Sequence, residues 1–441
     1  MLLMPKTPAR HHFPGYDYMK SSGGIDEYRL KKNGLTVLLM EEHSVPVVNV
    51  MLTYHVGSRN EALGYTGATH LLEHLLFKGS KKFNKKNKND STQVLETHGA
   101  RVNATTSNDR TNYYELLPKE HYEEALAFEA DRMRNAFLRE GDRASEMTVV
   151  RNEFERGENS AFEALDKQIW AIAYQAHPYH HSTIGWRSDI ENISIKRLKQ
   201  FYDTFYWPNN ATVSILGDCD ARTALSRVAR YFGIHSRSPH EIPALQTSEP
   251  KQEGERRAVV SRAGESRIVG YAHKAPEGLH PDTYPLIALG MILAGGKASR
   301  LYRALVDKGY ATEVFPSTIP FHDNGLFIVY AFLTPGTEHL SVERIVLKAY
   351  EAIKKQGITE AELVRAKAVV LAETAFGRDG VYAIAGALNE AIALGDWTFY
   401  TNFSKNMEAL TREDITRVAH TYLTADQSTI GYCIPKDRKR A

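Results

Sequence analysis

The feature that most constrains this chain is an order of elements that occurs twice. VMLTYHVGSRNEALGYTGATHLLEHLLFKG (residues 50–79) reads as a strand, a Gly-containing turn and an apolar helix that stops at a glycine. SRIVGYAHKAPEGLHPDTYPLIALGMILAGG (266–296) follows the same order, alike in pattern but not in residues. Each passage leaves an apolar face that has to be covered by a layer of its own, so the pattern points to a diverged tandem repeat. A length of 441 residues provides for two cores. The expected fold is α+β: two tandem homologous α/β units, each a mainly antiparallel sheet packed with helices.

Other segments fit this frame. LTVLLMEE (35–42) and VPVVNVMLTYHVG (45–57) are β-rich and predict a hairpin, with folded structure beginning near Tyr28. ARVNATTS and RTNYYELL predict two strands around the turn SND, and residues 118–176 read as helical. ATVSILGD (211–218) is a strand leading into the amphipathic helix RTALSRVARYFG. In the second half FIVYAFLTP, a helical stretch over 342–373 and a closing strand STIGYCIP follow. Residues 235–258, rich in Pro, Ser and charge without periodicity, predict a linker. The expected domains are therefore an arm over 1–25, a first unit over 26–234, the linker, and a second unit over 259–441.

Composition narrows the function. With a net charge of +2 and no concentrated basic face, nucleic acid is not an expected partner. Cys219 and Cys433 are too few for a disulfide framework or a thiolate cage, and leave open one bridge. The longest apolar stretch, Leu286 to Ala294, falls short of the roughly 20 residues of a membrane span. The basic, Pro-containing N-terminus lacks the apolar core of a secretory signal, which predicts a cytoplasmic protein, or a periplasmic one whose signal is absent from this chain.

The chemistry concentrates at His70, Glu73 and His74. At i, i+3 and i+4 on a helix the three side chains share one face. Two imidazoles four apart can grip one Zn²⁺ and leave the carboxylate free to reach a water, the H-x-x-E-H arrangement of zinc hydrolases. Leu71 and Leu72 mark the helix for burial, and burying a carboxylate without a partner is costly, so a purely structural Glu73 is hard to motivate. A third ligand is needed. Glu146 and Glu153 in EMTVVRNEFERGEN lie seven apart on one helix face, so one can bind metal while the other supports the site. His177, His180 and His181 enclose a proline and read as a solvent-facing loop, as does the basic run Lys78 to Lys88. GGKASRLY lacks P-loop spacing, so nucleotide binding is not expected.

HLLEH followed by FKGS, then NATTSNDRTNYYELLP, VVRNEFERGEN and GGKASRLY together resemble the pitrilysin, insulinase and mitochondrial-processing-peptidase family of inverted zinc metallopeptidases. The resemblance covers nearly all of the chain beyond the N-terminal arm. It implies a zinc metalloendopeptidase with one Zn²⁺ per chain on His70, His74 and Glu153. Glu73 would be the general base and Glu146 the supporting carboxylate. Substrate peptide would add as a strand beside the zinc, which singles out Asn103 and Ala104.

One departure concerns the Arg and Tyr, seven apart, that active members carry in the second half. In LYRALVDKGYATEV, aligned on Gly309, Leu305 and Thr312 occupy those places, while Arg303 and Tyr310 are seven apart but out of register. Either these substitute, or a partner subunit supplies the pair, and the partner is favoured. Complete members are clam-shaped assemblies of four such units, so this chain resembles half a clam. A homodimer, or a heterodimer with a related subunit, is expected. Two other readings are a non-catalytic structural or binding subunit and a metal-dependent hydrolase of non-peptide substrates. The intact metal set argues against the former.

Overall fold

A computed structural model describes residues 12–436. The chain runs β1 (Tyr16–Ser22), β2 (Ile25–Leu30), β3 (Thr36–Glu41), β4 (Val47–Tyr54), α1 (Ala68–Leu75), α2 (Ser91–Thr97), β5 (Arg101–Thr106) and β6 (Thr111–Pro118). Helices α3 (Tyr122–Asn135), α4 (Glu140–Asn159), α5 (Ala161–Ala173), α6 (Arg187–Asn192) and α7 (Ile195–Phe205) follow, then β7 (Ala211–Gly217) and α8 (Ala221–Phe232). The later part opens with β8 (Arg256–Arg262), β9 (Ile268–Lys274), α9 (Thr283–Ala294), β10 (Ala311–Ser317) and β11 (Leu326–Leu333). It closes with α10 (His339–Gln356), α11 (Glu360–Phe376), α12 (Val381–Leu394), α13 (Thr398–Glu408), α14 (Arg412–Tyr422) and β12 (Ser428–Pro435).

The first unit holds a seven-stranded sheet in the order β1-β2-β3-β7-β4-β6-β5, and the second a five-stranded sheet in the order β10-β11-β9-β12-β8. Reversing the second list gives β8-β12-β9-β11-β10, which matches β3-β7-β4-β6-β5 strand for strand. In both sheets the first pair is parallel and the next three are antiparallel. The tandem repeat suspected from the pattern is therefore a repeat of topology.

Pairing corrects the expected hairpin. β3 and β4 are not neighbours, because β7 lies between them, parallel to β3 and antiparallel to β4. Every residue of β7 is buried, so the strand needs a partner on each side and takes the sheet's centre. Folded structure also begins before Tyr28. Residues 16–22, expected in the arm, form β1 and pair with β2 across a turn in which Gly23 (φ 58°) and Gly24 (φ 81°) both take left-handed backbone. Phe13 and Tyr16 are buried, their rings 5.4 and 6.3 Å from that of Tyr28. Residues 1–11 of the arm lie outside the described residues.

The expected linker carries no helix or strand over residues 236–255, and β8 starts at Arg256 inside its last positions. The single helical stretch over 342–373 is two helices, broken at Gly357 (φ 69°), after which Thr359 and Glu362 form a reciprocal cap that starts α11. Cys219 and Cys433 are buried and not bridged.

The compact units are not the two linear halves. Residues 149–182 belong to the second unit and 378–392 to the first. The reason for the former lies in two glycines. Gly270 of β9 and Gly431 of β12 are cross-strand partners, and the missing side chains open a slot on one face of the second sheet. Ile169 of α5 fills it: a Cβ on Gly270 would stand 2.4 Å from its Cδ1, and one on Gly431 2.6 Å from its Cγ1. Ala164, Leu165, Ile169 and Ala173 pack there with Ile268, Ala272, Ile328 and Cys433. The opposite face packs on α9, α10 and α14 through Val269, Tyr271, Val329 and Ile430, so the second sheet is buried on both sides. In the first unit α12 takes the corresponding place, but with polar contacts: Asn389 Oδ1 accepts from Thr53 Oγ1 at 2.7 Å, and Glu390 pairs with Arg110.

Candidate active site

Helix α1 starts where its sequence cannot supply an ordinary cap. Gly67 stands at the N-cap with φ 85°, and a Cβ there would meet the Ile184 carbonyl oxygen at 2.4 Å, so only glycine fits. Glu61 takes over the capping role and accepts from Gly67 N and Thr69 N, each at 2.7 Å. Asp189 Oδ2 braces the approach by accepting from Gly64 N and from Thr66 Oγ1, at 2.9 and 2.8 Å. The helix buries Ala68, Thr69, Leu71, Leu72 and Leu75, which leaves His70, Glu73 and His74 half-buried on the remaining face.

The two imidazole rings stand 4.8 Å apart, centre to centre, at 75°. His74 Nδ1 lies 3.0 Å from Glu146 Oε2 on α4, a contact that holds the ring. Burial works against the charge on Glu146, but hydrogen bonds from Lys78 and His74 outweigh it and hold the carboxyl below its usual range. Burial, reinforced by His74, pushes His70 down to about 4, so its imidazole is neutral at physiological pH, the form that binds metal. Glu146 and Glu153 stand two turns apart on the one continuous helix α4. His70, His74 and Glu153 each offer a ligand atom within 4.8 Å of the others. That donor set, two imidazoles and a carboxylate with one imidazole already oriented by a second carboxylate, fits a zinc ion.

Glu73 points elsewhere. Its Oε2 accepts from Thr106 Oγ1, at the end of β5. β5 is the edge of the first sheet, paired only with β6. Asn103 is exposed on it and Ala104 is buried, with the Ala104 N–H donating to Asn103 Oδ1 at 2.9 Å.

Thr106 was given no role by sequence, and Lys78, read with the run to Lys88 as a solvent-facing loop, is instead half-buried and paired with Glu146; yet each had a signal. Thr106 shares the inward face of β5 with Ala104 at the strand period of two, and Lys78 follows His74 by one helical turn. Arg303 and Tyr310 are both exposed in the second unit, Arg303 within a π-type turn over Tyr302–Val306. Leu305, where the resemblance would place an arginine, is fully buried core.

The histidines 177, 180 and 181 do not form a solvent-facing loop. His177 and His181 are buried, because Tyr179 between them inserts into a cluster with Trp170, Tyr174 and Phe321. A carboxylate distant in sequence, Asp323, lies 3.1 Å from His177 Nε2.

Comparison with known proteins agrees with this geometry. Residues 36–186 match the family described as insulinase (peptidase family M16), and residues 192–370 match the family's inactive domain, "Peptidase M16 inactive domain". The chain is 31% identical over 409 residues to the zinc protease PqqE of Helicobacter pylori, covering 92% of this chain and 91% of that one. The chain belongs to peptidase family M16. A crystal structure of a protease from Helicobacter pylori superposes with a TM-score of 0.86 at 29% identity, covering 96% of this chain and all (100%) of that one. Pitrilysin, at 18% identity and a TM-score of 0.77, shares the fold; 96% of this chain matches 47% of that one. The boundary between the two M16 matches leaves α1, β5 and all of α4 in the part that is not the inactive domain. Among the described residues no helix is long and apolar enough to cross a membrane.

Proposed function

We propose that this M16 protein is a zinc metalloendopeptidase in which His70, His74 and Glu153 hold one Zn²⁺, Glu73 is the general base and Glu146 orients His74. The observation that carries the reading is the convergence of those three ligand atoms beside Glu73, on a helix that abuts the sheet edge. Bound there, zinc would polarise the scissile carbonyl and bring the pKa of water toward about 7. Glu73 then takes the proton of the attacking water and returns it to the departing amine. The Thr106 hydroxyl steadies Glu73 by donating to its Oε2. A peptide adding to the free edge of β5 would run past Asn103 and Ala104, with the Asn103 side chain giving up the Ala104 N–H to the incoming strand.

The buried Leu305 supports a partner subunit, identical or related, as the source of the Arg/Tyr pair, with exposed Arg303 and Tyr310 as the alternative source within the chain. The test uses quenched fluorescent peptides with wild type, Glu73→Gln and His70→Gln/His74→Gln. Glu73→Gln should keep its zinc and lose activity by about 10²–10⁴-fold, while the double histidine variant should lose one equivalent of zinc. Full activity in Glu73→Gln would sink the mechanism. Zinc binding without any cleavage by the wild type would favour a non-catalytic subunit or a missing partner, which adding a candidate partner chain distinguishes.

A further inference from the structure

A second cluster of side chains able to hold a metal ion lies in the first unit. His98 caps the C-terminal end of α2, His121 caps the N-terminal end of α3, and Glu124 sits in the first turn of α3. His98 Nδ1 is 2.9 Å from Glu124 Oε2, and His121 Nδ1 is 3.1 Å from Oε1 of the same carboxylate. The imidazoles are stacked, their centres 3.9 Å apart and their planes at 18°. All three ligand atoms lie within 4.8 Å of one another.

We propose that His98, His121 and Glu124 form a second zinc site that clips the open end of the β5–β6 hairpin. The spacing suits an ion. Donors held at about 2.0–2.1 Å around a tetrahedral zinc stand roughly 3.3 Å from each other, and the two nitrogen–oxygen separations are close to that already. The His98 approach, although short, is not aligned as a hydrogen bond, because its Nδ1 is buried with no hydrogen-bond partner. Two ligands of a common ion meet in that off-axis way, whereas a donor and acceptor line up as His121 Nδ1 and Glu124 Oε1 do, a hydrogen bond the ion would replace. Two imidazoles with a carboxylate are an N₂O set suited to zinc rather than to calcium or magnesium. The side chains are 31%, 32% and 42% exposed, enough for water to complete the coordination.

The position gives the site its role. Beyond His98 the chain passes Gly99 (φ 81°) into β5, and His121 lies just past the end of β6. Arg101 pairs with Leu116 at that end of the hairpin. An ion there fixes the entry to the edge strand on which Thr106 stands, at a point remote in sequence from the H-x-x-E-H helix.

Metal-free full-length chain, prepared by dialysis against EDTA, would be titrated with Zn²⁺ against a chromophoric chelator. Two equivalents are expected for the wild type, one for His98→Gln/His121→Gln and one for His70→Gln/His74→Gln. A wild type that takes only one equivalent, lost with His70 and His74, overturns the second site, and so does a second equivalent that persists in His98→Gln/His121→Gln. A single equivalent lost only with His98 and His121 would support it while removing the α1 site instead. Should the His98/His121 variant fail to fold by circular dichroism, Glu124→Gln is the substitute. It is expected to weaken the second equivalent at least tenfold, and unchanged binding would overturn the site.

Discussion

In the first unit α1 follows β4 and turns two histidines and a glutamate to one side; in the second, α9 follows β9 and is built from Thr, Tyr, Pro, Leu, Ile, Ala, Gly and Met alone. Leu286, Ala288, Leu289, Ile292, Leu293 and Ala294 of α9 are all core, and its half-buried stripe carries Tyr284, Ile287 and Met291, none of which offers the imidazoles and carboxylate that α1 presents. The sheets behind the two helices have the same order and the same parallel and antiparallel pairs. Strand order therefore leaves the chemistry open, and what decides it is which residues stand on the half-buried stripe of the helix after the second shared strand. The sheets' other faces differ in the same sense. The second is sealed by Ile169 and Leu165, while the first meets Asn389 and Glu390 through Thr53, Asn112 and Arg110. One unit is built for packing, and the other carries polar groups at a cost in stability.

The largest such cost sits beneath α1. Arg132 is wholly buried, pairs with Glu129, lies 3.6 Å from Glu115, and stacks 4.0 Å from the Tyr113 ring centre. Burial and then Glu129 push the Glu115 carboxyl well above its ordinary value, against the pull of Arg132. Arg132→Met would strand the Glu129 carboxylate, with an expected loss of about 3–5 kcal/mol in urea unfolding. Hydrogen exchange should place that loss in β4 and β6, and equal loss in β9 and β11 would break the contrast between the units.

Next in size, Glu146→Gln keeps a polar group beside His74 but removes the charge that orients it. Zinc affinity at the α1 site should fall by about 10–100-fold, with no change in the melting temperature of the metal-free protein beyond a degree or two. An unchanged affinity would show that His74 is held by its own helix alone. Gly431→Val tests the opposite unit. Its side chain would collide with Ile169 and Leu165, at an expected cost of about 1–3 kcal/mol, while zinc binding stays as in the wild type. A zinc-binding defect in that variant would mean that packing of α5 governs the metal set carried by α4.

How much of this was legible in sequence depended on distance along the chain. His70, Glu73 and His74 declare themselves because a helix brings i, i+3 and i+4 together whatever the rest does. Glu146 and Glu153 are readable as a pair for the same reason, and so is the strand pair β5–β6 around its short turn. The insertion of β7 between β3 and β4 was not readable, since that pairing spans more than 150 residues and depends on which strand has both faces buried. β1 escaped notice because YDYMKSS alternates too weakly to mark a strand, and only its partner and two glycines stabilise it. The burial of His177 is not legible locally because Asp323 and the Phe321 ring that closes the cluster come from the other half of the chain. Thr106 needed the register of β5 against α1, which no local period supplies.

The smallest effect sharpens the contrast at the rim of the second sheet. Lys274 ends β9 with Nζ 3.3 Å from the Tyr174 ring centre and 3.8 Å from Glu249 Oε1. Burial lowers it to about 7, against the pull of Glu249. Below pH 7 folded and unfolded chains both hold the proton, and the cost of burying the charge is present in full. Between pH 7 and the ordinary lysine value of about 10.4 the unfolded chain binds more protons, so unfolding free energy should rise with pH by up to about 1.4 kcal/mol per unit. Lys274→Met has no such proton to lose. Its advantage over wild type should be greatest near pH 6 and shrink steadily by pH 10 in parallel urea titrations. A constant difference across that range would mean that Glu249 and the Tyr174 ring compensate the buried ammonium, and that this sheet, too, accommodates charge without penalty.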